Sequence, residues 1–262
     1  MGQRHPDREP LTTHHSPLAK LLAWSAHLYT CLGLVAAAAI AVLIVRGDPA
    51  GFRAAFLLMV AATVIDATDG TLARAVKVKT VLPGFDGRRL DDLIDFLTYA
   101  FLPLLLTWRA ALLPPGYDAW LLLPLLASAY GFCQAEAKTA DGFFLGFPSY
   151  WNIVALYLYA LPFPPAAALV MIIALSLLTF VPLRYLYPSL GGRLNRWTNW
   201  LGAVWTVALT IVIWRLPADR RPDEIDPLTA GSLAFPAYYF VASWWVSFRR
   251  RDETTKDTNN TK

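Results

Sequence analysis

Four aspartates lie within or beside apolar stretches of the sequence, where carboxylates are costly to place. Asp66 and Asp69 are three residues apart in the segment IDATDGTLARA, and Asp91 and Asp95 are four apart in GRRLDDLIDF. At these spacings the members of each pair share one face of a helix. A carboxylate inside a bilayer costs on the order of 3 kcal/mol, so it normally faces a polar cavity with a function. We therefore expect two neighbouring helices to present two carboxylates each to one cavity.

Four carboxylates in one cavity repel one another and require positive charge nearby. A divalent cation is the natural source of that charge, and an all-oxygen ligand set favours Mg²⁺ or Mn²⁺. The sequence has no cluster of His and Cys that would favour zinc. These residue types predict that Asp66, Asp69, Asp91 and Asp95 bind a divalent metal ion.

Small residues and a cation follow the first acidic pair. Gly70 comes directly after Asp69, although a glycine inside a helix costs roughly 1 kcal/mol relative to alanine. A ligand that approaches the helix backbone closely would explain that cost. The small side chain of Ala73, one turn further along, would extend the space open to the ligand. Arg74 supplies a guanidinium suited to a phosphate oxygen.

Simpler interpretations exist for single members of this set. Acidic residues such as Asp91 or Asp92 often only cap the start of a helix. A buried ion pair with Arg74 would equally explain Asp66 or Asp69. Neither interpretation accounts for the four acids together with the small residues, so we favour the functional site.

The elements that must position these residues are predicted to be membrane-spanning helices. Of the 262 residues, 56% are hydrophobic and 16% charged, whereas about a quarter of the residues in a soluble domain are charged. A helix needs about 20 apolar residues to cross a bilayer. Eight apolar runs occur, at Leu21–Val45, Phe52–Ala75, Leu90–Arg109, Trp120–Gln134, Tyr150–Leu161, Ala166–Leu186, Trp197–Trp214 and Ser232–Phe248. The fourth and fifth runs are short, which leaves seven spans as the alternative.

The distribution of Lys and Arg in the short connections predicts the orientation. If there are eight spans, three basic segments fall on one side, at residues 74–89, 184–196 and 249–262. Arg215, Arg220 and Arg221 lie in an opposite connection, where they weaken this bias without reversing it. We therefore predict an all-α, polytopic membrane bundle of about eight transmembrane helices, with both termini and the active site on the cytoplasmic side.

The chain divides into three predicted segments. Residues 1–20 are polar and lack the apolar core of a secretory leader, so we expect a cytoplasmic N-terminal segment. Residues 21–248 form the membrane domain, and residues 249–262 form a polar cytoplasmic tail that we expect to be disordered. Cys31 and Cys133 fall in apolar runs and are expected to be packed thiols. The formal net charge of +4 does not indicate a nucleic-acid partner, because the cations flank hydrophobic runs, where they meet anionic lipid.

The motif residues resemble the signature of the CDP-alcohol phosphotransferases, which reads D-x2-D-G-x2-A-R and then G-x3-D-x3-D. The matching positions are Asp66, Asp69, Gly70, Ala73, Arg74, Gly87, Asp91 and Asp95. The spacer from Ala75 to Asp86 is longer than in most members by about one helical turn. That spacer and the segment FCQAEAKTADGFFLGFPSYWNIVALYLY are similar to the bacterial members of the family that make phosphatidylcholine. The resemblance covers residues 21–248.

This resemblance implies a reaction and a set of roles. It implies a multi-pass enzyme of the bacterial inner membrane that condenses choline with CDP-diacylglycerol to give phosphatidylcholine and CMP, with Mn²⁺ preferred and Mg²⁺ as the alternative. It also implies that Asp95 both ligates metal and accepts the proton of the choline hydroxyl. We expect a homodimer. The family's nucleotide-contacting positions correspond to Asp66, Asp69, Gly70, Ala73, Arg74 and Gly87.

The choline site is predicted from the chemistry of its cation. A quaternary ammonium donates no hydrogen bond, and aromatic faces, sometimes with an acid, usually hold it. Tyr99 follows the last aspartate of the motif by one turn, Glu136 ends the fourth apolar run, and Tyr150 and Asn152 begin the fifth. These four residues are our candidates. The alternative for Tyr150 is a place in an interfacial aromatic belt.

Two other functions remain open from the sequence. The acceptor alcohol could be serine, inositol or glycerol phosphate, and Arg184 and Arg193 are cations that a phosphate-bearing acceptor would need. The chain could instead be a transporter, but a transporter would have polar residues spread to the bilayer midplane, often in repeated halves. Here the acids gather at one end and no repeat is visible.

Overall fold

A pair of long helices, α1 (Pro17–Arg46) and α2 (Pro49–Ala75), begins the fold. The computed structural model describes residues 15–134, 139, 143–186 and 193–260. The turn between the two helices contains Gly47 in the left-handed conformation (φ 71°) and Asp48 as the cap of α2. The Asp48 carboxylate accepts a hydrogen bond from the Gly51 N–H at 2.6 Å, which lowers the pKa of that carboxyl group. The tight turn forces α1 and α2 to pack antiparallel.

The predicted spacer and the third apolar run form a series of helical segments. A short helix, α3 (Val78–Val81), packs its two valines against Ala23 and Ala26 of α1. Helix α4 (Gly87–Asp95) then continues without a break through a π-helical turn (Phe96–Phe101) into α5 (Leu102–Arg109). The second acidic pair of the motif therefore lies on α4, in its second and third turns, just before the π-helical turn.

The rest of the chain surrounds a short buried helix, α7. In order, the elements are a 3₁₀ turn (Asp118–Leu121), α6 (Leu122–Cys133), β1 (Phe143–Leu145), α7 (Trp151–Ala160), α8 (Pro165–Leu178), β2 (Arg184–Leu186), α9 (Arg193–Arg215), α10 (Pro227–Ser232) and α11 (Ala234–Asn260). Eight of the ten α7 residues are buried. Its C-terminal end is closed by Arg221, whose guanidinium donates to the carbonyl oxygens of Leu158 and Leu161 at 2.6 and 3.0 Å.

The described residues include three helices that are long and apolar enough to cross a membrane, at Pro17–Arg46, Pro49–Ala75 and Arg196–Arg215. Shorter apolar helices occur at Asp118–Cys133, Trp151–Ala160 and Pro165–Leu178. A helical membrane protein is therefore confirmed in outline, and each of the eight predicted runs contains helix. The count of eight transmembrane helices remains a prediction, because several of these helices are shorter than a bilayer is thick.

Two local predictions are wrong. The sixth apolar run is not helical to its end, because α8 stops at Leu178 and residues 184–186 form β2, which pairs antiparallel with β1. Hydroxyl groups of α11 complete the other edge of β2: Ser243 and Ser247 accept from the N–H groups of Leu186 and Arg184 at 3.2 and 2.6 Å. The tail was expected to be disordered, but α11 continues to Asn260. An existing helix propagates readily, since each further residue adds a hydrogen bond without a new nucleus.

Candidate metal and nucleotide site

Three carboxylates converge where α2 faces α4. One carboxylate oxygen from each of Asp66, Asp91 and Asp95 lies within 4.8 Å of the other two, and all three residues are half-buried. Asp66 comes from α2, whereas Asp91 and Asp95 lie one turn apart on α4. The predicted helical faces thus meet.

Asp69 lines the same small pocket as these three residues but is held differently. It is 7% exposed, and its Oδ2 accepts a hydrogen bond at 2.8 Å from the Oγ1 of Thr30 on α1. The four predicted acids are therefore brought together, with three directed toward one another and Asp69 held toward α1. The pocket wall from α1 was not predicted from the sequence.

A second hydroxyl reaches the site from the π-helical turn. The Tyr99 hydroxyl donates to Asp66 Oδ2 at 2.7 Å, and Tyr99 is half-buried. The sequence predicts Tyr99 as a choline contact and does not reveal this bond to a metal-ligand candidate. The extra residue of the π turn shifts the side chains that follow Asp95, so ordinary helical spacing gives their direction poorly.

The capping interpretation of the second acidic pair is wrong. The cap of α4 is Asp86, whose Oδ1 accepts from the Arg89 N–H at 3.2 Å. Asp92 forms a weak, exposed ion pair with Arg88 at 4.0 Å. Asp91 lies five residues beyond that cap and belongs to the carboxylate cluster.

Glycine and arginine keep space open along this pocket. A Cβ on Gly33 of α1 would lie 2.7 Å from Cγ2 of Ile94, so glycine permits α1 and α4 to approach. Above Gly70 the nearest group is the guanidinium of Arg74, 3.3 Å from where a Cβ would be. Arg74 also donates to Thr71 Oγ1 at 3.0 Å, which holds the guanidinium over Gly70.

The donor set fits a divalent cation. All the ligand candidates are carboxylate oxygens, which hard cations such as Mg²⁺ and Mn²⁺ prefer. One oxygen of each of the three carboxylates lies within 4.8 Å of the other two, so the three side chains are close enough to contact one ion together.

A sequence model of the CDP-alcohol phosphatidyltransferases matches residues 23–212, which include all four aspartates of the site. The chain belongs to the CDP-alcohol phosphatidyltransferase family.

Curated relatives within the family carry one name. A phosphatidylcholine synthase from Pseudomonas aeruginosa is 32% identical over 242 residues, covering 92% of this chain and 98% of the relative. One from Bradyrhizobium diazoefficiens is 36% identical, covering 88% of this chain and 82% of the relative. One from Legionella bozemanae is 47% identical over 52% of this chain, and that match spans 63% of the relative.

The choline candidates of this phosphatidyltransferase lie at unequal distances from the cluster. The rings of Tyr99 and Tyr150 are 6.4 Å apart between centroids, so Tyr150 lies beside the residue that holds Asp66. Asn152 is 6% exposed and its Nδ2 lies 3.5 Å from Thr63 Oγ1 on α2. Glu136 lies outside the described residues. Tyr150 is half-buried, and its ring also packs against Tyr239.

Proposed function

We propose that this phosphatidyltransferase joins choline to the phosphatidyl group of CDP-diacylglycerol and releases CMP. The proposal that a CDP-linked lipid reacts here rests on one observation. The carboxylates of Asp66, Asp91 and Asp95 converge, and Asp69 lies on the wall of the same pocket. The curated relatives are named phosphatidylcholine synthases, which supports choline as the acceptor.

Asp66, Asp69 and Asp91 would hold the divalent cation together with Asp95, with Mn²⁺ proposed over Mg²⁺. When bound, the cation supplies positive charge that offsets the charge of the pyrophosphate and of the CMP leaving group. The protein supplies the ligand geometry, since the hydroxyl groups of Tyr99 and Thr30 each occupy one oxygen of a ligand carboxylate. Such contacts fix the direction in which the remaining oxygens point.

Asp95 is the proposed general base. The choline oxygen forms a bond to the lipid-side phosphorus as the bond from that phosphorus to the bridging pyrophosphate oxygen breaks. The proton of the choline hydroxyl passes to the Asp95 carboxylate, and the electron pair of the broken bond leaves with CMP. A base must lie within hydrogen-bond reach of the proton that it accepts, so the choline hydroxyl has to enter beside α4.

The remaining motif positions are proposed to hold the nucleotide. Gly70 and Ala73 have little or no side chain to obstruct a ligand beside α2. Arg74, whose guanidinium lies over Gly70, would bind a phosphate oxygen. Gly87 lies at the start of α4, next to α1. The ring faces of Tyr99 and Tyr150, with Asn152 and Glu136, are proposed to bind the choline side.

The placement in the cell is also a proposal. We propose eight spans in a bacterial inner membrane with both termini in the cytoplasm, which the apolar helices and the basic residues near the motif support. A homodimer is a separate proposal. CDP and CMP are soluble and diacylglycerol is not, so a site at the membrane–cytoplasm boundary is required by the chemistry.

The test is a product assay with purified protein in lipid nanodiscs. Labelled choline, serine, inositol and glycerol phosphate are offered separately with CDP-diacylglycerol and Mn²⁺, and CMP release is measured beside the lipid product. We expect phosphatidylcholine alone. Formation of phosphatidylserine or phosphatidylinositol in place of phosphatidylcholine would show that the acceptor is wrong.

A matched pair of variants tests the site itself. Asp91→Asn removes one charge from the cluster and is expected to lower turnover at least a hundredfold. Asp92→Asn removes the neighbouring charge, which faces Arg88 outside the cluster, and is expected to retain most of the activity. Equal activity in both variants would contradict the metal-site assignment.

A further inference from the structure

An apolar groove lies between α5 and α6. Its volume is about 360 Å³, within the range of ligand-binding pockets, about 300–1,000 Å³. Helix α6 packs against the π-helical turn, where the rings of Phe132 and Phe96 are 5.8 Å apart between centroids, and the groove opens beyond that contact. Its large aliphatic and phenyl side chains are those of Phe101, Leu104, Leu105, Leu121, Leu122 and Leu125. Phe101 is 40% and Leu122 59% exposed, so the groove is open to a lipid chain from the membrane.

The mouth of the groove lies far from the carboxylate cluster. Trp108 lines it at the end of α5, and Asp118 lines it at the start of the 3₁₀ turn. From Asp95 to Trp108 the helix continues for 13 residues, a rise of about 20 Å. A hydrocarbon core is about 30 Å thick. The mouth therefore lies toward the membrane surface opposite the one proposed for the carboxylates.

Asp118 places a negative charge at this mouth. Its side chain is exposed and has no ion-pair or hydrogen-bond partner within the part of the chain that the structure describes. Arg109 ends α5 nearby, but its guanidinium lies against Gly47 in the turn between α1 and α2. The mouth therefore favours a cation and disfavours a headgroup that carries only negative charge.

Trp108 adds an aromatic face to the same mouth. Its side chain is 51% exposed, and tryptophan is the ring that binds cations best. A place in an interfacial aromatic belt accounts for Trp108 alone, but not for the unpaired carboxylate and the apolar groove beside it. An aromatic face beside a carboxylate suits a quaternary ammonium group, and the groove suits an acyl chain attached to it.

We propose that this groove binds one molecule of phosphatidylcholine in the leaflet opposite the carboxylate cluster. The trimethylammonium group lies between Trp108 and Asp118, and one acyl chain follows α5 toward Phe101. The presence of this lipid as the enzyme's product rests on the function proposed above, whereas the chemistry of the groove does not.

Two other lipids fit the mouth less well. The primary ammonium of phosphatidylethanolamine is strongly hydrated and has three hydrogens to donate, whereas the mouth offers one carboxylate and a ring face. CDP-diacylglycerol carries an anionic pyrophosphate, which Asp118 repels and which the proposed reaction requires at the carboxylate cluster. The groove is therefore a second lipid site, separate from the substrate site.

The test is photolabelling of the full-length protein in nanodiscs of phosphatidylglycerol. The probe is a trace of phosphatidylcholine with a diazirine in one acyl chain, and mass spectrometry of peptides locates the label. We expect label on residues 101–125, which added unlabelled phosphatidylcholine displaces. Added phosphatidylethanolamine should displace it about threefold less well, the size of an exposed cation–π contact.

Two variants with matched controls isolate the headgroup contacts. Asp118→Asn removes the charge and Trp108→Leu removes the ring, and each should lower labelling of residues 101–125 about threefold. The control for the charge is Asp219→Asn, at an exposed aspartate in the loop that follows α9. The control for the ring is Trp214→Leu, because Trp214 is 71% exposed and, like Trp108, precedes the arginine that ends its helix. Both controls should be labelled as the wild type is.

The outcomes separate this proposal from the proposed reaction. Equal displacement by phosphatidylcholine, phosphatidylethanolamine and phosphatidylglycerol would overturn the groove as a specific site, and so would wild-type labelling in Asp118→Asn. If Trp108→Leu does not fold, the exposed and isosteric change Asp118→Asn decides the headgroup contact. The lipid is supplied in this assay, so binding does not depend on catalysis. A protein that binds phosphatidylcholine selectively here but makes none from choline would refute the proposed acceptor and leave the groove site standing.

Discussion

Hydroxyl groups orient two of the four aspartates. Thr30 on α1 donates to Asp69, and Tyr99 on the π turn donates to Asp66, at 2.8 and 2.7 Å. Hydrogen bonds to charged groups contribute about 1.5–3 kcal/mol, which is enough to select one rotamer of a carboxylate. Both hydroxyls are therefore expected to act on metal binding through the ligands that they hold.

Thr30→Val tests the first of these contacts. Valine has nearly the shape of threonine, so we expect Mn²⁺ to bind about tenfold more weakly because Asp69 loses its orientation, a typical effect for groups that support metal ligands. Thr30→Ser should bind Mn²⁺ nearly as the wild type does. Affinity is measured by electron paramagnetic resonance of free Mn²⁺, without substrate. The control is Thr68→Val, which removes an exposed hydroxyl bonded to Tyr29. An equal loss of Mn²⁺ affinity in Thr30→Val and Thr68→Val would refute the role of Thr30.

Tyr99→Phe separates the two roles of that residue. The variant keeps the ring beside Tyr150 and removes the bond to Asp66. We expect weaker Mn²⁺ binding with little change in the KM for choline, whereas Tyr150→Ala should raise the KM for choline and leave Mn²⁺ binding unchanged. Steady-state kinetics at saturating Mn²⁺ and a separate Mn²⁺ titration provide the two measurements. A rise in the choline KM alone in Tyr99→Phe would mean that the hydroxyl serves the acceptor.

At the scale of elements, the site depends on how closely α1 approaches α4. Gly33 lies under Ile94, whose Cγ2 would be 2.7 Å from an added Cβ, and Ile94 is 6% exposed. Overpacking of this kind typically costs about 1–3 kcal/mol. Because Ile94 lies between Asp91 and Asp95, a displacement of α4 also moves two carboxylates.

Gly33→Ala should therefore lower both the unfolding temperature and Mn²⁺ affinity. The double variant Gly33→Ala with Ile94→Ala removes the opposing methyl group and should recover Mn²⁺ affinity. The double variant should remain less stable than the wild type, because the buried side chain of Ile94 is lost. Gly231→Ala is the control, since nothing lies within 4 Å of a Cβ there. Failure of the double variant to recover affinity would show that the contact does not set the position of α4.

The elements also show how far local sequence can predict this structure. The spacings of Asp66 with Asp69 and of Asp91 with Asp95 are properties of single helices, so their shared faces could be predicted. Thr30 contacts Asp69 across 39 positions of sequence, and that contact depends on the register of α1 against α2. No local pattern encodes such a register. The π turn and β2 were missed for the same reason, because packing against other elements outweighs the local preference for an ordinary helix.

At the scale of the whole molecule, helix length limits how the chain crosses the membrane. Helix α7 has ten residues and rises about 15 Å, half of a hydrocarbon core about 30 Å thick. It is also buried among the other helices. If this segment crosses, the loops at its ends must complete the crossing inside protein and away from lipid. The Arg221 cap on its final carbonyls satisfies backbone groups that lipid could not.

The arginines that weaken the charge bias have partners in the structure. Arg220 pairs with Asp223 at 2.9 Å and Arg215 with Asp226 at 3.7 Å, while the Arg221 guanidinium is bound to carbonyl oxygens of α7. Arg88 and Arg89 on the motif side are likewise paired, with Asp92 and Asp86. The ion pairs therefore leave the bias unchanged, because it depends on the count of Lys and Arg and acids contribute little to it.

The excess of Lys and Arg on the motif side predicts which loops face the cytoplasm. In a background of Cys31→Ser and Cys133→Ser, a membrane-impermeant maleimide added to spheroplasts should label Asp223→Cys and should label Lys79→Cys only after lysis. Lys79 is exposed in α3, close to the motif, and Asp223 is exposed in the loop before α10. Labelling of Lys79→Cys in intact spheroplasts would place the carboxylates on the side of the membrane away from the cytoplasm, where the proposed site cannot exchange CMP with the cytoplasm. The orientation and the proposed reaction would then be incompatible, so this result would count against both.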